Sequence, residues 1–364
     1  MKLKRKMISI LLFSVLSIII VALLAVNISP KPVSYLTRAI FDHSEKAMLY
    51  PRKSNYEALK AKVVTQTDLI YPSEHKNNSF DLILPKGKKN VPILFWVHGG
   101  AFVGGDKRDC LEYLEMIAAH GYAVVNMNYE RTPEVVHPTP IKQMTELVRY
   151  VASQAEEHSI DLQRVFIGGD SAGAQIAGEF TNVQNNPAVQ EALHMKPVLK
   201  SEQIKGYISF SGLLNLKEYD ETDSGLGNFL FRQTAWAYFE DRSWKESTSV
   251  AMASLIGNIT ASFPPTYMTD GNTNSFEKQM PELKTELEKW NIPVEMTYFT
   301  KEAATLQHEY QFDFSIKEAN VNFDHVVLFL ENYKDRLLIA PIYTKKPQSI
   351  ISEANLYRLL YNLA

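Results

Sequence analysis

Uninterrupted apolar runs and segments of 3.6-residue periodicity alternate along most of this chain. Val91–Val97 is apolar and β-rich without a break, as expected of a strand covered on both faces. Tyr122–Asn128, Val165–Gly168, Ile204–Phe210, Thr266–Thr269 and Val294–Phe299 read as further strands. Between them, Lys107–His120, Phe276–Trp290 and Ile316–Leu330 have helical patterns. Ile141–Glu157 places Ile141, Met144, Leu147, Val148 and Val151 on one helical face. Ala61–Ile70 and Ser79–Leu84 alternate instead, and predict a first antiparallel pair. Strands alternating with helices predict an α/β fold with a mostly parallel sheet covered on both faces, and a site at the carboxyl ends of the strands.

Three stretches depart from this rhythm. Thr181–Gln203 and Leu213–Phe263 are long insertions between sheet elements; the second, about 213–263, carries Phe229, Phe231, Trp236, Tyr238, Phe239 and Trp244 and predicts a helical cap. Its aromatic residues suit a lid over the site or ordinary packing of the cap on the core. At the N-terminus, Lys2, Lys4, Arg5 and Lys6 precede Met7–Val26, an uncharged apolar run long enough to cross a bilayer. The run is longer than a signal-peptide core, and Ala25-Val26-Asn27 makes a poor cleavage site. An uncleaved signal-anchor over 1–27 is therefore favoured over a cleaved peptide, which would yield a secreted protein. The cationic cluster should stay cytoplasmic, leaving the rest of the chain outside. Residues 28–60 read as a linker and surface helix, 61–335 as the main domain, and 336–364 as an extension in which Leu356, Leu359 and Leu360 suggest a small docking helix.

Composition narrows the possibilities. With 364 residues, 45% of them hydrophobic, there is enough material for one large core. A net charge of -3 gives no basic footprint for nucleic acid. The single cysteine, Cys110, excludes an internal disulfide and a cysteine-built zinc site, and is expected as a buried packing residue in a helix.

Two glycine motifs carry the chemistry. Gly169-Asp170-Ser171-Ala172-Gly173 lies between a strand-like and a helix-like run, which would put Ser171 on a tight turn with a helix N-terminus behind it. His98-Gly99-Gly100-Ala101 ends the Val91–Val97 strand; its glycines leave backbone N–H groups unshielded, as stabilising an acyl-transfer oxyanion demands.

On these residues the chain resembles the α/β-hydrolases of the hormone-sensitive-lipase-like esterase group. His98-Gly99-Gly100-Ala101 resembles the group's oxyanion motif, with alanine for its last glycine, and residues 169–173 match its nucleophile elbow. Asn128-Tyr129-Glu130-Arg131-Thr132-Pro133-Glu134 and Pro264-Pro265-Thr266 are similar to two further segments. The likeness, from about Asp81 to about Leu330, implies an α/β-hydrolase fold and a Ser-His-acid mechanism without metal or cofactor. It implies Ser171 as nucleophile and the N–H groups of Gly99, Gly100 and Ala172 as the oxyanion hole. The chain order serine, acid, histidine points to His308 as base; His325, inside the last helix, reads as structural, and His98 as a brace for the oxyanion loop. The position aligned with the family's acid is Asn274, which carries no charge. Asp270, at the end of its strand, is the preferred acid, and Glu277 the alternative. Asp170 and Asp106 suit loop braces or solvated charges.

The expected function is hydrolysis of small-molecule or lipid carboxylic esters at the outer membrane face. A deacetylase of surface glycans and a hydrolase-like binding protein without turnover are the alternatives. Natural substrate and oligomeric state are unreadable from sequence.

Overall fold

The computed structural model describes residues 2–47 and 50–336, and the expected docking helix near Leu356 falls outside them. Eight strands form one sheet in the order β1-β2-β4-β3-β5-β6-β7-β8. They are β1 Val63–Ile70, β2 Ser79–Pro85, β3 Val91–Val97, β4 Ala123–Met127, β5 Ile160–Asp170, β6 Ile204–Phe210, β7 Thr266–Thr269 and β8 Val294–Thr297. β2 pairs antiparallel with both β1 and β4, and every pairing from β4 onward across the sheet is parallel. β3, β4 and β6 are buried along their whole length, because helices cover both faces.

The helices are α1 Lys2–Ile28, α2 Lys31–Ala47, α3 Tyr56–Lys60, α4 Leu111–Ala119, α5 Thr139–Ser153, α6 Ala172–Asn185, α7 Pro187–Leu193, α8 Gly225–Phe239, α9 Thr248–Ala253, α10 Gln279–Lys289 and α11 Lys317–Tyr333. On one face, Ile141, Met144, Leu147, Val148 and Val151 of α5 and Ile176, Phe180 and Val183 of α6 pack into the larger core. On the other, Leu114 and Ile117 of α4 and Phe323, Val326 and Phe329 of α11 form a second core. The expected helix over Lys107–His120 is split: a 3-10 turn at Lys107–Asp109, capped by the Asp106 side chain, precedes α4.

Two expectations change in three dimensions. Thr181–Gln203 is only partly an insertion, since α6 runs on to Asn185 and α7 follows directly. The stretch from residue 28 to 60 is less a linker than a packed segment, for α2 lies against α8 and its Val33, Ser34 and Thr37 are buried. In the 213–263 insertion Tyr238 and Trp244 are buried in the core. Phe231 stacks on Tyr219 with ring centroids 5.0 Å apart. Most of the insertion's aromatic residues therefore hold the cap onto the domain. Lys6–Ile28 is long and apolar enough to cross a membrane, and its most apolar 18 residues are not buried at all.

Candidate active site

Ser171 sits where β5 turns into α6, at φ 50° and ψ −122°. Such a conformation costs about 1–3 kcal/mol and is held only if the surroundings enforce it. They do so by close approach: a Cβ on Gly173 would lie 2.1 Å from the Val97 carbonyl oxygen, and one on Gly169 2.5 Å from the Gly173 carbonyl carbon. The Ser171 N–H donates to the Phe210 carbonyl at 2.8 Å, tying the turn to β6.

His308 comes from the loop between β8 and α11. Its Nε2 lies 3.0 Å from Ser171 Oγ, so residues 137 apart in sequence meet within hydrogen-bond reach. On the other side of the ring, Nδ1 lies 2.6 Å from Ser275 Oγ. Ser275 Oγ in turn donates to Asp270 Oδ1, and the Phe276 N–H donates to Asp270 Oδ2 at 3.1 Å. With the Ser275 proton given to Asp270, its lone pair accepts Nδ1–H and leaves Nε2 as the acceptor facing Ser171. Sequence reasoning missed Ser275, because a serine beside an asparagine in a loop carries no signal of its own.

The three acid candidates separate. Asp270 is buried at the end of β7 and reaches His308 through Ser275. Asn274 is exposed, at φ 52°, and its Nδ2 lies 3.4 Å from Gln307 Oε1. Glu277 is half-buried and acts on Asp270 through charge, as one of the influences raising its pKa. Desolvation lifts the Asp270 carboxyl to about 7 against the hydrogen bonds from Ser275 and Ser211, and pulls the His308 imidazole down to about 4.

The oxyanion segment is turned tightly after β3. Gly100 is at φ 112°, Ala101 at 54° and Phe102 at 63°, and a Cβ on Gly100 would lie 2.3 Å from the Gly104 carbonyl oxygen. The Gly99 N–H does not face the cleft free. It donates to Asp170 Oδ2 at 2.7 Å, which corrects its expected place in the oxyanion hole. Among the described residues the N–H groups of Gly100, Ala101 and Ala172 have no acceptor. Ala101 stands where the resemblance has glycine, so the missing glycine hid a backbone donor from the sequence reading.

Asp170 proves to be a buried brace, not a solvated charge. Its carboxylate also accepts from Trp96 Nε1 at 2.8 Å and Cys110 Sγ at 3.1 Å. Burial is the main influence raising its pKa, and these donors oppose it in part. Cys110, expected to do no more than pack, thus helps hold the carboxylate that holds the loop. Asp170→Ala would strand the Trp96 and Gly99 donors in a dry interior, a cost of about 1–3 kcal/mol each. Chemical denaturation should show a loss of about 3 kcal/mol or more, and an unchanged midpoint would refute the bracing role.

His98 braces the same loop, with Nδ1 2.7 Å from the Gly99 carbonyl oxygen and its ring stacked on Tyr129 at 4.6 Å. His325 lies 28 residues from its partner Thr297, with Nδ1 2.8 Å from Thr297 Oγ1, and stays away from the site. Asp106 caps the 3-10 turn and accepts from Asn128 Nδ2 at 3.1 Å. The cleft is a cavity of about 340 Å³ whose walls include Phe41, Gly99, Gly100, His308 and Phe312. Three carboxylates, Asp109, Asp170 and Glu309, line it, and among the described residues no lysine or arginine does. Glu309 Oε1 is 3.7 Å from His308 Nε2, another contact the sequence reading did not anticipate. Among the described residues no group of three or more His, Cys, Asp or Glu is arranged to hold a metal.

A strained serine between strand and helix, at the carboxyl edge of such a sheet, defines an α/β-hydrolase. Within that class the chain belongs to the BD-FAE family, whose profile matches residues 80–286. Esterase B of Lactobacillus rhamnosis superposes with a TM-score of 0.67 over 83% of this chain and 97% of its own, at 18% identity, which speaks to fold. An esterase of Fusarium pseudograminearum is 25% identical over 184 residues, covering 49% of this chain and 54% of that protein. An acetyl esterase of Salmonella schwarzengrund is 29% identical over 86 residues, or 23% and 27% of the two chains. The chain thus spans about half or less of the length of these curated relatives.

Proposed function

We propose that this protein is a serine esterase that cleaves carboxylic esters through an acyl-enzyme, anchored by α1 with its catalytic domain outside the cell. The observation that carries the proposal is the 3.0 Å approach of His308 Nε2 to Ser171 Oγ on the strained turn. Ser171 Oγ attacks the ester carbonyl carbon as His308 Nε2 takes its proton. The carbonyl oxygen gains negative charge and is received by the N–H groups of Gly100 and Ala172, with Ala101 beside them. The C–O bond to the alcohol breaks, and His308 returns the proton to the leaving oxygen. Water then repeats the sequence on the acyl-serine, releasing acid and free Ser171. Asp270, acting through Ser275, holds the imidazole in the required tautomer. The names of the curated relatives and the family membership support ester hydrolysis; the apolar α1 after a basic cluster supports the anchor.

Fluorophosphonate is expected to attach covalently to Ser171 in the wild type and not in Ser171→Ala. Folded wild-type protein that escapes labelling would overturn the esterase proposal in favour of a binding protein. Cleft charge sets a second expectation. Asp109 and Glu309, with no lysine or arginine among the described wall residues, should disfavour esters carrying a carboxylate on the acyl chain. A p-nitrophenyl ester with an anionic acyl group should have a kcat/KM about tenfold below that of a neutral ester of equal length. Glu309→Gln should narrow that gap, and equal rates in the wild type would sink the charge argument.

A further inference from the structure

Helix α2 is amphipathic the wrong way round for a surface helix of a soluble domain. Between Pro32 and Ile40 every exposed residue is apolar: Pro32, Tyr35, Leu36, Ala39 and Ile40. Tyr35, Leu36 and Ile40 are each about half exposed, at 49%, 56% and 48%. The face turned to the protein carries the polar groups. Ser34 and Thr37 are buried there, and Arg38 donates to the Val103 carbonyl at 2.6 Å, to the Thr132 carbonyl and to Glu134. Asp42 accepts from the Gly105 N–H at 3.2 Å and from Arg131 Nη1 at 3.2 Å. A helix in water arranges these faces in the opposite sense. An apolar outer face suits a helix lying in a membrane interface.

What covers this face follows from its place in the chain. The apolar α1 ends at Ile28 and α2 begins at Lys31, so its start lies within about 10 Å of the span's end. Arg242, just past α8, donates to Asn27 Oδ1 at 3.2 Å, holding the end of α1 to the cap. α8, packed against α2, exposes Leu226 at 70% and Phe229 at 38%. The inner side of α2 meets the catalytic cleft. Phe41 lines the cavity with His308, and its Cβ lies 2.9 Å from where a Gly104 side chain would begin.

We propose that the outer face of α2, from Pro32 to Ile40 together with Leu226 and Phe229, is a bilayer-docking surface that sets the cleft against the membrane and directs the enzyme to esters of bilayer-resident lipids. The inference rests on the serine-esterase and anchor assignments above. Docking there holds α2 on the oxyanion loop through Arg38 and Asp42, so the surface that meets lipid also buttresses the catalytic segment.

The full chain, reconstituted in vesicles of phosphatidylcholine and phosphatidylglycerol at about 3:1, provides the test. Cys110 is buried, so a fluorophore can be placed at Leu36→Cys, at Leu16→Cys in α1, or at exposed Lys89→Cys. Spin-labelled lipid should quench positions 16 and 36 and spare 89, with quenching at 36 about threefold or more above that at 89. Quenching at 16 with 36 behaving like 89 would overturn the docking surface and leave the anchor standing. An unquenched position 16 would overturn the anchor, and docking with it. Self-quenching between labelled copies in place of lipid quenching at 36 would assign the stripe to a dimer face and overturn the proposal. A catalytic arm reads the consequence. Leu36→Ser with Ile40→Ser should lower turnover of diacylglycerol in the same vesicles about tenfold, and of water-soluble p-nitrophenyl acetate less than twofold. Equal losses on both substrates would mean that these side chains serve the fold alone, and would overturn the substrate assignment. Ser171→Ala, inactive on both, separates this outcome from failure of the esterase mechanism itself.

Discussion

His308→Ala is expected to lower kcat on a soluble ester by roughly 10⁴-fold or more, with KM little changed. The imidazole is the only group whose nitrogen stands at hydrogen-bond distance from Ser171 Oγ among the described residues, and a serine hydroxyl near neutral pH is a poor nucleophile without such a base. The fold should survive, since the ring is partly open to the cleft and its contacts, an edge contact to Phe276 with centroids 5.6 Å apart and hydrogen bonds to Ser171 and Ser275, lie within the site. Steady-state kinetics paired with thermal unfolding checks both halves. Turnover within tenfold of wild type would remove His308 from the mechanism. Ser171 would then have to lose its proton to a group other than this imidazole.

The second large effect separates the acid candidates. Asp270→Asn should lower kcat by about 10²–10⁴-fold, Ser275→Ala by about 10–10²-fold, and Glu277→Gln by less than threefold. The ordering follows from geometry. Asp270 supplies the charge that stabilises an imidazolium, Ser275 only transmits it, and Glu277 faces neither ring nitrogen. A large loss in Glu277→Gln with none in Asp270→Asn would reverse the assignment.

The pH dependence has a definite sign. Burial favours the neutral form of both groups. With His308 lowered to about 4, the base remains available well below neutrality, and ionisation of Asp270 near 7 governs the acidic limb. kcat should therefore rise through about pH 7 in the wild type and lose that limb in Asp270→Asn. Linkage gives a companion expectation. The folded state holds the Asp270 proton up to about pH 7, whereas the unfolded chain releases it near 4, so stability falls as pH rises across that window. For His308 the unfolded ring protonates near 6.5 and the folded ring resists to about 4, so stability falls as pH drops through that interval. Asp270→Asn should consequently be more stable than wild type at pH 8, by about 5 °C in Tm, while being the poorer catalyst.

Much of this architecture is legible in local pattern. β3 lies where an uninterrupted apolar run places it, because a strand buried on both faces favours apolar residues throughout, and β6 and β7 fall at their predicted positions. The helices over 139–153 and 317–333 follow from apolar spacing to within a few residues. Ser171 was visible because an elbow needs small residues at fixed offsets, and His308 because the order of acid and base along the chain is constrained by the order of strands. Glu309, Ser275 and the engaged Gly99 N–H were not visible. Each depends on which atom of one loop approaches which atom of another, and no residue type or spacing encodes that.

By itself, then, the chain determined its elements, the elbow with its serine, the distant histidine and an apolar N-terminal helix. All of these rest on periodicity or on steric demands within a few residues. Only the tertiary structure decided that Asp270 reaches the imidazole through Ser275, that Asp170 takes up the Gly99 N–H, and that α2 turns its polar side inward. Those outcomes are settled by packing between segments tens to hundreds of residues apart, where burial and hydrogen-bond geometry choose among partners that the linear order leaves equivalent.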